Sequence, residues 1–121
     1  MSTRILLVDD DEVVRTVHQL MLEKIGYEVV SVDCAEDALR EFTTRGSGYW
    51  SALLSDVQMP RVSGIELCIA IRSLAPRLPL FLISGWDRNQ QEVKHVCNDF
   101  ISKPASLEKL REMLFRHGVT S

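Results

Sequence analysis

Five short runs of apolar residues punctuate the chain: Ile5-Leu6-Leu7-Val8, Val29-Val30-Ser31-Val32, Ala52-Leu53-Leu54, Leu80-Phe81-Leu82-Ile83 and Phe100-Ile101. Each is nearly continuous rather than alternating, which suits strands buried on both faces of a parallel sheet. Between them apolar residues recur at helical spacing: Val14, Val17, Leu20, Met21 and Ile25, then Ala38, Leu39 and Phe42, then Ile65, Cys68, Ile69 and Ile71, and finally Leu107, Leu110 and Leu114. The segment from Asn89 to Val96 is the weakest helix, with only Val93 and Val96 on an apolar face. Breakers agree with these boundaries. Gly26 closes the first helix, Pro60 and Ser63-Gly64 interrupt the chain before the third, and Pro76 and Pro79 bracket the next turn. Strands alternating with helices over 121 residues predict one α/β domain, residues 1–121, a parallel sheet covered by helices.

Composition narrows the function. With 45% hydrophobic and 26% charged residues, and no apolar run near the roughly 20 residues that span a bilayer, the chain reads as a soluble, cytoplasmic protein without a membrane partner. A formal net charge of -3 argues against direct nucleic acid binding, which needs a basic stripe to displace counterions. Cys34, Cys68 and Cys97 are odd in number and widely separated, so they read as thiols rather than a disulfide framework or zinc site. His18, His95 and His117 share no ligand spacing.

The residues that end the strands carry the chemistry, because open α/β sheets bind ligands outside the carboxyl ends of their strands. The first run ends in Asp9-Asp10-Asp11, the third in Ser55-Asp56, the fourth in Ser84-Gly85 and the fifth in Ser102-Lys103-Pro104. Any one of these could be a helix cap. Together, several carboxylates, a hydroxyl and a lysine on one rim call for a cation, since close carboxylates raise each other's pKa. Oxygen ligands without His or Cys suit a hard ion, Mg²⁺ before zinc or calcium. A metal, a lysine and a hydroxyl suit phosphoryl transfer, in which Asp56 itself serves as nucleophile.

At this point the chain resembles the receiver domain of bacterial response regulators. Ile5 to Asp10, Asp56-Val57-Gln58-Met59-Pro60 followed by Gly64, Ile83-Ser84-Gly85 and Lys103-Pro104 stand in that family's order and spacing. The resemblance implies a doubly wound five-stranded parallel sheet with five helices, flavodoxin-like (βα)5, in strand order 2-1-3-4-5. It implies that Asp10 and Asp56 bind Mg²⁺ (with Mn²⁺ as a substitute), that the Gln58 backbone carbonyl adds a ligand, and that Asp9 acts through coordinated water. Asp56 is then the phosphoacceptor, Ser84 the hydroxyl on the phosphoryl group and Lys103 its counter-charge, across a cis Lys103-Pro104 bond. Asp11 is a helix-start residue. The implied partners are a histidine kinase or histidine phosphotransfer protein and a downstream protein, with a phosphorylation-linked homodimer through the last helices as a further expectation. Phe100, Trp86 and Gly85 fall on the implied switch and output face. Phe100 is open to switching or to plain packing, and Trp86 to covering the phosphoryl group, anchoring a partner or packing on the fourth helix.

The expected role is a signalling switch with self-phosphotransfer and slow autodephosphorylation, not a metabolic enzyme. Two other readings compete. Asp9-x-Asp11 mimics the nucleophile motif of haloacid-dehalogenase phosphohydrolases, although only Glu108 and Glu112 follow Lys103 to supply that family's later acidic motif. The other is a degenerate receiver that binds partners unphosphorylated.

Overall fold

All five apolar runs become strands of one parallel sheet: β1 (Arg4–Val8), β2 (Glu28–Val32), β3 (Ala52–Asp56), β4 (Leu80–Ser84) and β5 (Asp99–Ser102). Their order is β2-β1-β3-β4-β5, the doubly wound order expected. Helices α1 (Glu12–Ile25), α2 (Ala35–Arg45), α3 (Gly64–Leu74), α4 (Gln90–Val96) and α5 (Leu107–Arg116) alternate with them, and a short 3-10 turn over Ser47–Tyr49 precedes β3. The computed structural model describes residues 3–85 and 90–120.

The pleat sends alternate residues to two cores. Ile5 and Leu7 of β1 join Leu54, Phe81 and Ile83 against Leu22 of α1 and Leu110, Met113 and Leu114 of α5. Leu6 and Val8 face the other way with Leu53 and Leu82, against Phe42 of α2, Leu67 and Ile71 of α3 and Val93 of α4. The register aligns Leu6 with both Val30 and Leu53, and Asp56 with Ile83, so the strands end near one level. Burial on both faces holds for the inner strands β1, β3 and β4. It fails for β2, whose residues are exposed or half-buried, because an edge strand is flanked on one side only.

Two helices pack several of their expected apolar residues on the core, Met21 and Ile25 in α1 and Ile65, Cys68 and Ile71 in α3, but leave others outside. In α1 the buried residues are His18 and Leu22, while Val17 and Leu20 are 43% and 61% exposed. Leu20 lies two residues, about 200° of helical rotation, from Leu22 and so points to solvent. In α3 the same geometry puts Leu67 and Ile71 inside and leaves Ile69 exposed.

The caps fix where each helix begins relative to the strand ends. The Asp11 carboxylate accepts the Val14 N–H at 3.1 Å, and Gly26 closes α1 by donating to the carbonyls of Leu22 and Glu23. Ser63 and Glu66 form a reciprocal capping box at α3, with bonds of 3.1 and 3.0 Å, each such cap stabilising by about 1 kcal/mol.

Candidate functional site

Strand order reverses between β1 and β3, and the crevice above that pair holds the polar strand ends. β1 delivers Asp9, which is 1% exposed. Its Oδ1 accepts the Asp11 N–H at 2.9 Å, and Arg15 of α1 donates to its carbonyl at 2.9 Å. Its Oδ2 is buried and has no hydrogen-bond partner. β3, buried along its whole length, delivers Asp56 at 6% exposure. Oxygens of Asp9, Asp10 and Asp56 all lie within 4.8 Å of one another.

Lys103 enters from β5. Its backbone N–H donates to the Ser84 carbonyl at 2.9 Å, and the Lys103-Pro104 bond is cis, as expected. Its ammonium stands 3.3 Å from Asp56 Oδ2 and 4.0 Å from Asp9 Oδ2. Burial lifts the Asp56 carboxyl above its ordinary range; Lys103 opposes this, and repulsion from Asp9 and Asp10 adds to it. A buried carboxylate is thus held among two further carboxylates and beside the Lys103 ammonium group. Three carboxylates against that ammonium, with a buried oxygen unpartnered, fit a hard divalent cation, and the three offer oxygen donors alone.

The loop from β3 to α3 is pinned against Asp56. The Val57 N–H donates to the Ile83 carbonyl at 3.0 Å, and the Gly64 N–H donates to the Val57 carbonyl at 2.8 Å. A Cβ on Gly64 would fall 2.0 Å from the Asp56 carbonyl oxygen, so only glycine allows this approach. Gln58, two residues past Asp56, is exposed in the same loop. Arg61 follows with φ at 68°, the left-handed region that disfavours a side chain, and its guanidinium bonds Glu36 of α2 at 2.8 Å.

The remaining sequence-derived residues divide. Ser84 is half-buried at the end of β4, paired with Ser102 of β5, and Gly85 is exposed just beyond it. Phe100 is not among the carboxylates; it is half-buried in β5, aligned with Leu82 and packed on the core beneath α2, α3 and α4. Trp86 lies outside the described residues. Asp11 serves as the α1 cap, so the haloacid-dehalogenase motif reading loses its second carboxylate to the helix. Arg15, His18 and Arg61 were not among the expected site residues. His18 is buried beside Lys103 along an apolar groove of about 420 Å³ formed with Val13, Val14, Val17, Pro104 and Ala105. Burial holds its imidazole below the ordinary range against the pull of Asp9, and Lys103 adds to the lowering. Among the described residues, no helix is long and apolar enough to cross a membrane.

Comparison with known proteins gives one answer. The family model described as the response regulator receiver domain matches residues 5–115. Response regulator MprA of Mycobacterium bovis (strain BCG / Pasteur 1173P2) is 36% identical over 113 residues, covering 91% of this chain and 48% of the relative. Its counterpart in Mycobacterium tuberculosis (strain ATCC 25618 / H37Rv) is 35% identical with the same coverage, 91% and 48%. The chain therefore spans about half the length of these curated relatives. Among solved structures, chemotaxis protein CheY4 of Vibrio cholerae superposes with a TM-score of 0.85 at 27% identity, covering 96% of this chain and 98% of that one. The receiver domain of sensor histidine kinase PA1611 from Pseudomonas aeruginosa PAO1, with magnesium coordinated in its active site cleft, also gives 0.85 at 27% identity, covering 98% and 99%.

Proposed function

The chain belongs to the response regulator receiver domain family, signalling switches of two-component systems, and from that premise we propose that Asp56 is its phosphoacceptor. The observation that carries this reading is the buried Asp56 carboxylate 3.3 Å from the Lys103 ammonium, inside a cluster of three carboxylates. An Asp56 oxygen attacks the phosphorus of the donor, forming the acyl phosphate O–P bond as the donor's P–N or P–O bond breaks with its electron pair leaving on the donor. Lys103 is the fixed positive charge that faces the incoming oxygens, and the Ser84 hydroxyl is their hydrogen-bond donor.

Asp9, Asp10, Asp56 and the Gln58 carbonyl are the proposed holders of Mg²⁺, for which Mn²⁺ is a substitute. When bound, the ion would supply the positive charge that the three carboxylates lack. The orphaned Asp9 oxygen and the all-oxygen donor set support this assignment. The magnesium in the PA1611 receiver domain gives it a precedent.

The proposed donor is a histidine kinase or histidine phosphotransfer protein, for which the apolar groove beside Lys103 offers a seat. Phosphorylation then biases the surface around Gly85 and Phe100 toward a downstream protein, with slow self-hydrolysis as the only further chemistry. The test is intact mass after incubation with acetyl phosphate or phosphoramidate and Mg²⁺. One added phosphoryl group, absent without metal and absent in Asp56→Asn, is expected. No adduct, together with no response to a beryllofluoride mimic, would leave a partner-binding module that is not phosphorylated.

A further inference from the structure

The loop that carries Gln58 is pinned at both ends, at Val57 and at Gly64, but its apex at Pro60 and Arg61 is exposed. There Arg61 adopts φ 68° although it has a side chain, a conformation that persists only where surrounding contacts over-determine it. The contact present is an ion pair to Glu36, in the first turn of α2, at 2.8 Å. Arg61 is 67% exposed and Glu36 40%, yet the second Glu36 oxygen is covered by the protein, so the carboxylate lies down on the surface. The Arg61 hydrogen bond holds the Glu36 carboxyl below its ordinary range, as a formed pair requires. Met59 and Val62, on either side of the apex, pack half-buried on the core beneath α2 and α3.

We propose that Arg61 and Glu36 are positioning residues for the phosphoacceptor site: their ion pair clamps the β3–α3 loop to α2 and so fixes where the Gln58 carbonyl stands relative to Asp56. This rests on the receiver reading above and deepens it. A glycine at the apex would adopt the turn without strain, but it would provide no tie to α2. The pair supplies that tie from outside the site, without adding a charge among the carboxylates.

The test uses Glu36→Gln, Arg61→Gly and the reversed pair Glu36→Arg/Arg61→Glu, none of which alters a residue of the site. Mg²⁺ affinity is measured by calorimetry, and amide exchange over residues 58–62 is measured in metal-free protein. Each single variant should bind Mg²⁺ about fivefold more weakly, less than the roughly tenfold or more lost with groups that bond a metal ligand directly, because this pair is largely exposed. The loop amides should exchange faster, and the reversed pair should recover both. Melting temperatures separate this from plain destabilisation: Arg61→Gly relieves strain and should melt close to the wild type. Single variants that match the wild type in affinity and exchange, or a reversed pair that recovers neither, would overturn the clamp and leave the receiver reading intact. If the wild type itself neither binds Mg²⁺ nor accepts a phosphoryl group, the phosphoacceptor reading falls and takes the clamp with it.

Discussion

Gly64→Ala tests how tightly Asp56 is built into its surroundings. By helix propensity alone, alanine at this first position of α3 should gain up to about 1 kcal/mol over glycine. The structure reverses the sign. The new Cβ would stand 2.0 Å from the Asp56 carbonyl oxygen, 2.9 Å from its carbonyl carbon and 3.1 Å from Leu82 Cδ2. Ordinary contacts of a Cβ begin at 3.4 Å, so α3 or the end of β3 must retreat by more than about 1 Å. Leu82 can rotate aside, but the Asp56 carbonyl belongs to a strand buried along its whole length. Overpacking of this kind costs about 2–3 kcal/mol net, which lowers the melting temperature of a domain this size by about 10 °C. Thermal unfolding in metal-free buffer measures that loss. Phosphoryl loading of the folded fraction should fall with it, because the displaced backbone is that of the acceptor. A variant that melts with the wild type or above it would refute the close packing of α3 on Asp56.

Two further outcomes are expected. Lys103→Met removes the ammonium 3.3 Å from Asp56, and loading from acetyl phosphate, measured by intact mass against time, should slow about 10- to 100-fold, the equivalent of a charged hydrogen bond worth about 1.5–3 kcal/mol. Asp99→Asn addresses a second, off-site carboxylate: burial pulls its carboxyl up, but hydrogen bonds from His117, the Phe100 N–H and Arg116 outweigh it and leave it below the ordinary range. A depressed folded pKa stabilises above the unfolded value of about 3.9 and loses that contribution as pH falls through the folded value. The variant should therefore be less stable by about 1 kcal/mol at neutral pH, a figure already reduced for solvent screening, and the difference should shrink in urea unfolding as pH falls below the unfolded value and through the depressed folded one.

The fold was legible because each strand is an apolar run too short for a helix and each gap carries helical spacing or breakers. The strand-end rule led from there to Asp9, Asp56, Ser84 and Lys103 without any knowledge of contacts. What escaped was part of the helix phase and anything set by tertiary approach. Val17 and Leu20 read as core residues because they are aliphatic, whereas His18 is the residue that faces inward, and a single polar residue in a buried stripe gives no periodic signal. Gly64 stood in the quoted motif, but its reason, contact with the Asp56 carbonyl, is visible only in three dimensions. Arg61 left no trace at all, since a left-handed backbone angle at arginine runs against the local preference that sequence reading relies on.

The electrostatics of the crevice make sense only for a site that is incomplete by itself. Asp9, Asp10 and Asp56 cluster beside the Lys103 ammonium, and two of the three, Asp9 and Asp56, are largely removed from water. A sequence selected for stability alone would replace such a cluster with apolar residues, since buried ion pairs rarely outweigh their own desolvation. Burial raises the Asp56 carboxyl above its ordinary range, and Asp9 keeps one oxygen without a hydrogen-bond partner. A divalent cation would offset the clustered carboxylates, and a group that arrives on Asp56 carrying further negative charge would disturb the balance again. The unfavourable charge is concentrated where β1, β3 and β5 end, and both cores lie directly beneath it. The strand ends beside Asp56 are tied to each other as well: the Lys103 N–H donates to the Ser84 carbonyl, joining the end of β4 to the chain that follows β5.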